Sequence, residues 1–241
     1  MRAMLAGLFL LPLAIAAGGP ALAMEDQVVT AKQPVDGELV RYVLTNEGNA
    51  PKYAVILMPG GNGRVGMPAK DGPLISSLSD NFLIRSRTLF ADPQFVAAST
   101  NATSTPAKIM AIVADLESRF GKLKVYVVGT SRSTESTMSL ARTLDGQVAG
   151  FVHSSSMSAI AGFDTRGLKS RQLIVLHRLD ACKSTSPSAG AANHAKYGTD
   201  LIEMDGGKST GDDCEPRAHH GYNGIERETV DKIKAWILAG K

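Results

Sequence analysis

Several short, unbroken apolar runs constrain this chain more than any other feature. Residues 53–58 (YAVILM), 124–128 (KVYVV) and 173–176 (LIVL) are too short for buried helices and do not alternate in polarity. A strand with that pattern is covered on both of its faces, which is the condition of a strand inside a parallel sheet. Further strands are expected at 38–45, 95–99, 150–154 and 200–204. Segments with helical spacing lie between them. One covers 81–90, and a second starts at Pro106, with Thr105 as its cap and Gly121 as its stop. In that second helix Ile109, Ile112, Val113, Leu116 and Phe120 share one face. Others follow Ser133, cover 189–197 and close the chain over 225–238. Strands alternating with amphipathic helices predict an α/β fold, with a mostly parallel, doubly wound sheet and helices on both faces. At 241 residues and 44% hydrophobic composition, the chain can bury one sizeable core, and no linker divides it.

The first 23 residues read differently from the rest. Arg2 precedes an apolar run broken only by Gly7 and Pro12, and Ala21-Leu22-Ala23 forms a small-x-small cleavage pattern. This predicts a signal peptide over 1–23, cleaved near Ala23, and a single domain over 24–241 in the periplasm or the medium. The run is short for a membrane span, so no stable membrane insertion is expected after cleavage. A formal net charge of +3, with no basic cluster, gives nucleic acid no docking surface. The only two cysteines, Cys182 and Cys214, are expected to pair in an oxidising compartment.

Candidate chemistry sits just after the strands, where ligands of such sheets bind. Run 124–128 leads into Gly129-Thr130-Ser131-Arg132-Ser133. A Gly-x-Ser-x-Gly turn between strand and helix holds its serine in a strained, exposed position, although here Ser133 stands where the last glycine would be. A serine nucleophile needs a base, and the base needs a carboxylate to orient it. Asp180 follows the strand at 173–176, and His220 precedes the final helix, which gives the chain order Ser131, Asp180, His220. Asp164 and Asp205 are rival acids, and His219 is a rival base. His220 is preferred because Gly221 follows it and frees the backbone to turn the ring. His153 and His177 read as packed or surface residues, and His194 as a residue of a surface helix. The backbone N–H of Arg132 and the Gly60-Gly61-Asn62 turn supply candidate oxyanion donors. A Cys182–Cys214 bridge would join the acid loop to the base loop. Gly206-Gly207-Lys208-Ser209 lacks the upstream glycine of a phosphate-binding loop, because Ile202 occupies that position.

The segments MPGGNG (58–63), NFLIRSR (81–87), VVGTSRS (127–133), LDAC (179–182) and GDDCEPRAHHGYNGIE (211–226) carry a resemblance that covers residues 35–239. The chain resembles small exported bacterial members of the α/β-hydrolase superfamily that carry a GTSRG-type serine turn. That resemblance implies Ser131 as nucleophile, Asp180 as acid and His220 as base, with Cys182 and Cys214 bridged. Gly61, Asn62 and Arg132 would form the oxyanion hole through their backbones. Only residues 157–172 separate two consecutive strands, so no large lid domain is expected. The expected activity is hydrolysis of a small ester-like substrate, most simply a carboxylic ester, through an acyl-enzyme and without metal or organic cofactor. The oligomeric state is left open. A different class of function is a non-catalytic ligand-binding protein that retains this fold. A third is a metal-binding protein using Asp212, Asp213, His219 and His220.

Overall fold

The computed structural model describes residues 24–33, 36–48 and 50–240. The expected signal peptide and its cleavage point lie outside these residues. Among the described residues, nine strands form one sheet in the order β4-β1-β2-β5-β3-β6-β7-β8-β9. They are β1 (Glu25–Lys32), β2 (Leu39–Asn46), β3 (Tyr53–Met58), β4 (Gly72–Pro73), β5 (Phe95–Thr100), β6 (Lys124–Thr130), β7 (Gly150–Ser154), β8 (Arg171–His177) and β9 (Asp200–Met204). From β5 to β9 every neighbouring pair is parallel. At the other edge β2 runs antiparallel to β5, β1 to β2, and β4 to β1. The sheet is therefore mixed, with an antiparallel edge. Strand β1 was not expected from the sequence, because its residues EDQVVTAK bury only part of their length. Pairing with β2 along all eight residues holds it in place.

The buried strands send alternate residues to opposite faces, as a period of two requires. Ala54, Ile56 and Met58 of β3 pack with Ile109, Ile112 and Leu116 of helix α3 (Pro106–Phe120), and with Leu140 of α4 (Ser133–Thr143). Tyr53, Val55 and Leu57 face the other way. They meet Phe82 and Leu83 of α1 (Phe82–Arg85), Phe90 of α2 (Arg87–Phe90), and Val230 and Ile233 of α6 (Glu226–Ala239). Each face thus has its own helical cover.

Two local expectations change. Residues 81–90 form two short helices broken at Ser86 rather than one, with the Asn81 side chain capping the first through Leu83 N–H at 3.2 Å. Thr105 precedes α3 without a side-chain capping bond, so Pro106 in the first turn and Gly121 at the end mark that helix. Helix α5 (Pro187–Tyr197) lies between β8 and β9. The connection from β7 to β8 holds only a short 3-10 turn, Ser158–Gly162, and no helical lid. Among the described residues no helix is long and apolar enough to cross a membrane.

His153 is buried on β7 between α4 and β8. Its Nε2 lies 3.1 Å from Gln172 Oε1 and its Nδ1 2.7 Å from the Thr137 hydroxyl, a pattern that suits a neutral ring. Burial pushes its pKa from the ordinary 6.5 down to about 4. The unfolded chain takes up this proton as pH falls through 6.5, and the native chain only near 4. Stability from this group is therefore complete above the upper value and declines as pH falls across the window, by about 3 kcal/mol in all. Urea unfolding at pH 7 and pH 4.5 should show a smaller pH-dependent loss in His153→Gln than in the parent. An equal loss in both proteins would contradict this assignment.

Candidate active site

The carboxyl ends of the parallel strands converge on one cavity of about 490 Å³, lined by Gly61, Asn62, Ser131, Arg132, His220 and the Cys182–Cys214 disulfide, among others. Ser131 is the first residue after β6, and its φ of 54° is left-handed for a residue with a Cβ. Its neighbours hold it there. Ser131 N–H donates to Ser154 O at 3.0 Å, and Ser131 O accepts from the Thr134 N–H and hydroxyl at 2.9 and 2.6 Å. Gly129 lets the turn close: a Cβ there would lie 2.7 Å from Thr137 Cγ2 and 2.8 Å from Ser133 O. Ser133, where a glycine would be usual, fits by forming hydrogen bonds. Its hydroxyl donates to Met58 O at 2.8 Å and accepts from Thr130 N–H at 2.8 Å, tying the start of α4 to β3 and β6.

Asp180 occupies the turn after β8, and His220 a 3-10 turn, His219–Gly221, ahead of α6. His220 Nδ1 lies 3.0 Å from Asp180 Oδ2, with side-chain exposures of 8% and 2%. Cys182 N–H donates to Asp180 Oδ1 at 3.0 Å, and the Thr185 hydroxyl lies 3.0 Å from Oδ2. The base loop is held through its backbone. Ser155 Oγ donates to His220 O at 2.7 Å, and Arg85 Nη2 to Gly221 O at 2.6 Å. Tyr222 accepts from Ser155 N–H and donates to Val175 O, both at 2.9 Å. Burial lowers the pKa of Arg85 while the Glu226 carboxylate beside it pulls the other way. Gly221 is required for a reason other than the one expected: a Cβ on it would sit 1.9 Å from Pro216 O.

The rival residues are placed elsewhere. His219 stacks on His177, with ring centroids 4.6 Å apart, and its Nδ1 has no partner among the described residues. Asp164 is exposed and paired with Arg166 at 2.6 Å, which draws its pKa down to about 2. Asp205 is exposed and, among the described residues, accepts only the Gly206 N–H. Asp212, Asp213, His219 and His220 do not converge. The one convergent group of potential metal ligands among the described residues is Asp180, Cys182 and His220, and the Cys182 sulfur belongs to the disulfide. The N–H groups of Gly61, Asn62 and Arg132 donate to no other described residue, and all three residues line the cavity. Ser131 Oγ and His220 line the same cavity without a direct hydrogen bond; such bonds are often long before substrate arrives. Thr185, Ser155 and Arg85 were not foreseen as part of the site. Their contacts are tertiary, and no local motif marks them.

The disulfide joins the acid loop to the base loop across 32 residues of sequence. Replacing both cysteines, Cys182→Ala with Cys214→Ala, should cost about 3 kcal/mol of stability in urea unfolding. An unchanged midpoint would contradict that contribution.

No protein-family model matches the chain, and no curated protein matches it. Solved structures do. A dienelactone hydrolase from Anabaena variabilis superposes with a TM-score of 0.62 at 9% identity, over 90% of this chain and 98% of that one. Est1E from Butyrivibrio proteoclasticus gives 0.60 at 12% identity, over 88% and 98%. A lidless α/β serine hydrolase from Xanthomonas campestris gives 0.55 at 11% identity, over 89% and 98%. At these identities the likeness concerns the fold alone: this chain folds as those three structures do.

Proposed function

We propose that this protein is an exported serine hydrolase that cleaves small carboxylic esters through an acyl-enzyme. One observation carries the reading: His220, paired with the buried Asp180, lines a cavity with a serine held in a left-handed turn and with three residues whose backbone N–H groups are unengaged. A carboxylate hydrogen-bonded to Nδ1 fixes the ring tautomer and leaves Nε2 as the base. His220 takes the Ser131 proton as Oγ attacks the carbonyl carbon. The oxyanion is held by the N–H groups of Gly61 or Asn62 and Arg132. His220 then returns its proton to the leaving alcohol, and a water activated by the same nitrogen releases the acid. Every proton and electron pair in this cycle is handled by the triad and water, so no cofactor is required.

The short connection between β7 and β8 leaves the cavity open, which suits small or exposed esters better than long lipid chains. The fold neighbours described as a lidless serine hydrolase and a dienelactone hydrolase support hydrolytic chemistry. Export rests on the sequence pattern of residues 1–23 and fits the presence of a disulfide. The mature chain would be one domain over 24–241, acting in the periplasm or the medium.

Hydrolysis of p-nitrophenyl acetate and butyrate by the mature protein provides the test. Ser131→Ala and His220→Ala should each lower kcat by about 10³-fold or more, with native melting curves. A folded parent that turns over neither ester would count against esterase chemistry. Variants as active as the parent would remove Ser131 and His220 from the mechanism.

A further inference from the structure

Thr185 lies in the loop between β8 and α5, and only 2% of its surface is exposed. Its Oγ1 sits 3.0 Å from Asp180 Oδ2 and 3.1 Å from His220 Nδ1, so three side chains meet within hydrogen-bond distance of one another. The donors can be counted. A threonine hydroxyl has one hydrogen, and the charged Oδ2 at 3.0 Å outcompetes the neutral Cys182 O at 3.5 Å for it. His220 Nδ1–H also donates to Oδ2, and a lone pair of Thr185 Oγ1 faces the same N–H. Cys182 N–H holds the other carboxylate oxygen. With both oxygens tied by the acid loop itself, the carboxylate plane cannot rotate away from the imidazole. Thr185 is anchored in turn by its own N–H to Cys182 O at 3.1 Å.

Resting on the serine hydrolase reading above, we infer that Thr185 is a positioning residue of that site, whose hydroxyl fixes the Asp180 carboxylate and shares the Nδ1 proton of His220. No other ionisable side chain hydrogen-bonds the His220 ring among the described residues. Arg85 bonds Gly221 O, Asp80 O and Glu226, His219 stacks on His177, and Tyr222 bonds Val175 O. The ring therefore answers to Asp180 and Thr185. Removing the hydroxyl takes one partner from Oδ2 and one from the Nδ1 proton, and it frees the carboxylate to rotate. That lowers kcat without touching substrate binding.

The test compares Thr185→Val, which keeps the shape and removes the hydroxyl, with Thr185→Ser, which keeps the hydroxyl. The readouts are ester hydrolysis, its pH profile, and an NMR titration of the His220 ring assigned against His220→Gln. Thr185→Val should lose about tenfold in kcat at near-constant KM, as expected for a lost hydrogen bond to a charged group. Its rate profile and its NMR titration should both differ from the parent's, and Thr185→Ser should restore the parent's values. A folded Thr185→Val with the parent's kcat and titration would overturn the inference while leaving the hydrolase reading intact. Should Thr185→Val fail to fold, Thr185→Ala takes its place, since it cannot overpack the site. If the parent hydrolyses no ester, the hydrolase reading falls, and the His220 titration alone then decides whether Thr185 positions the ring.

Discussion

Burying the Asp180 carboxylate is the constraint around which the carboxyl end of this sheet is arranged. Only 2% of its side chain meets solvent, and a buried carboxylate without partners would cost several kcal/mol. Three donors compensate: His220 Nδ1–H, the Thr185 hydroxyl and Cys182 N–H. Two of them come from the acid's own loop, and the third, from His220, comes from 40 residues further along. The disulfide runs from that loop to the segment carrying His220. The pair is thus built from a rigid acid side and a tethered base side.

Backbone strain concentrates in the same place. Ser131, Ser155 and Tyr222 are the non-glycine residues with positive φ among the described residues, and all three surround the site. Such conformations cost about 1–3 kcal/mol each and persist only where their surroundings hold them. Here Thr134 and Ser154 hold Ser131, and Ser155 and Tyr222 bond to each other. Ser155 then holds the His220 carbonyl. One hydrogen-bonded chain therefore runs from the end of β8 through β7 to the base loop, and the packed sheet beneath it supplies the rigidity.

The sheet's centre was legible because β3, β6 and β8 are unbroken apolar runs, and such runs have few other solutions. Ser131, Asp180 and His220 could be singled out because each follows a recognisable strand or precedes a recognisable helix; the structure brings Asp180 and His220 into contact and sets Ser131 on the cavity that His220 lines. Strand β1 escaped notice because a strand covered on its outer side by only two residues of β4, and partly exposed to solvent, carries a mixed pattern. The break at Ser86 and the uncapped Thr105 escaped because tertiary packing decides them. Gly221 was singled out for conformational freedom, whereas its role is to admit Pro216 O. Arg85 bonds Gly221 across 136 residues of sequence, and Thr185 meets His220 across 35, separations that no local pattern encodes.

The proposed function turns on one claim above the others, that Ser131 is the activated nucleophile of this cavity. Treating the folded mature protein with a fluorophosphonate and mapping the adduct by peptide mass spectrometry tests it directly. The account predicts one adduct, on the peptide carrying Ser131, absent from His220→Ala. A folded protein that forms no adduct, or forms it on another residue, would contradict the account.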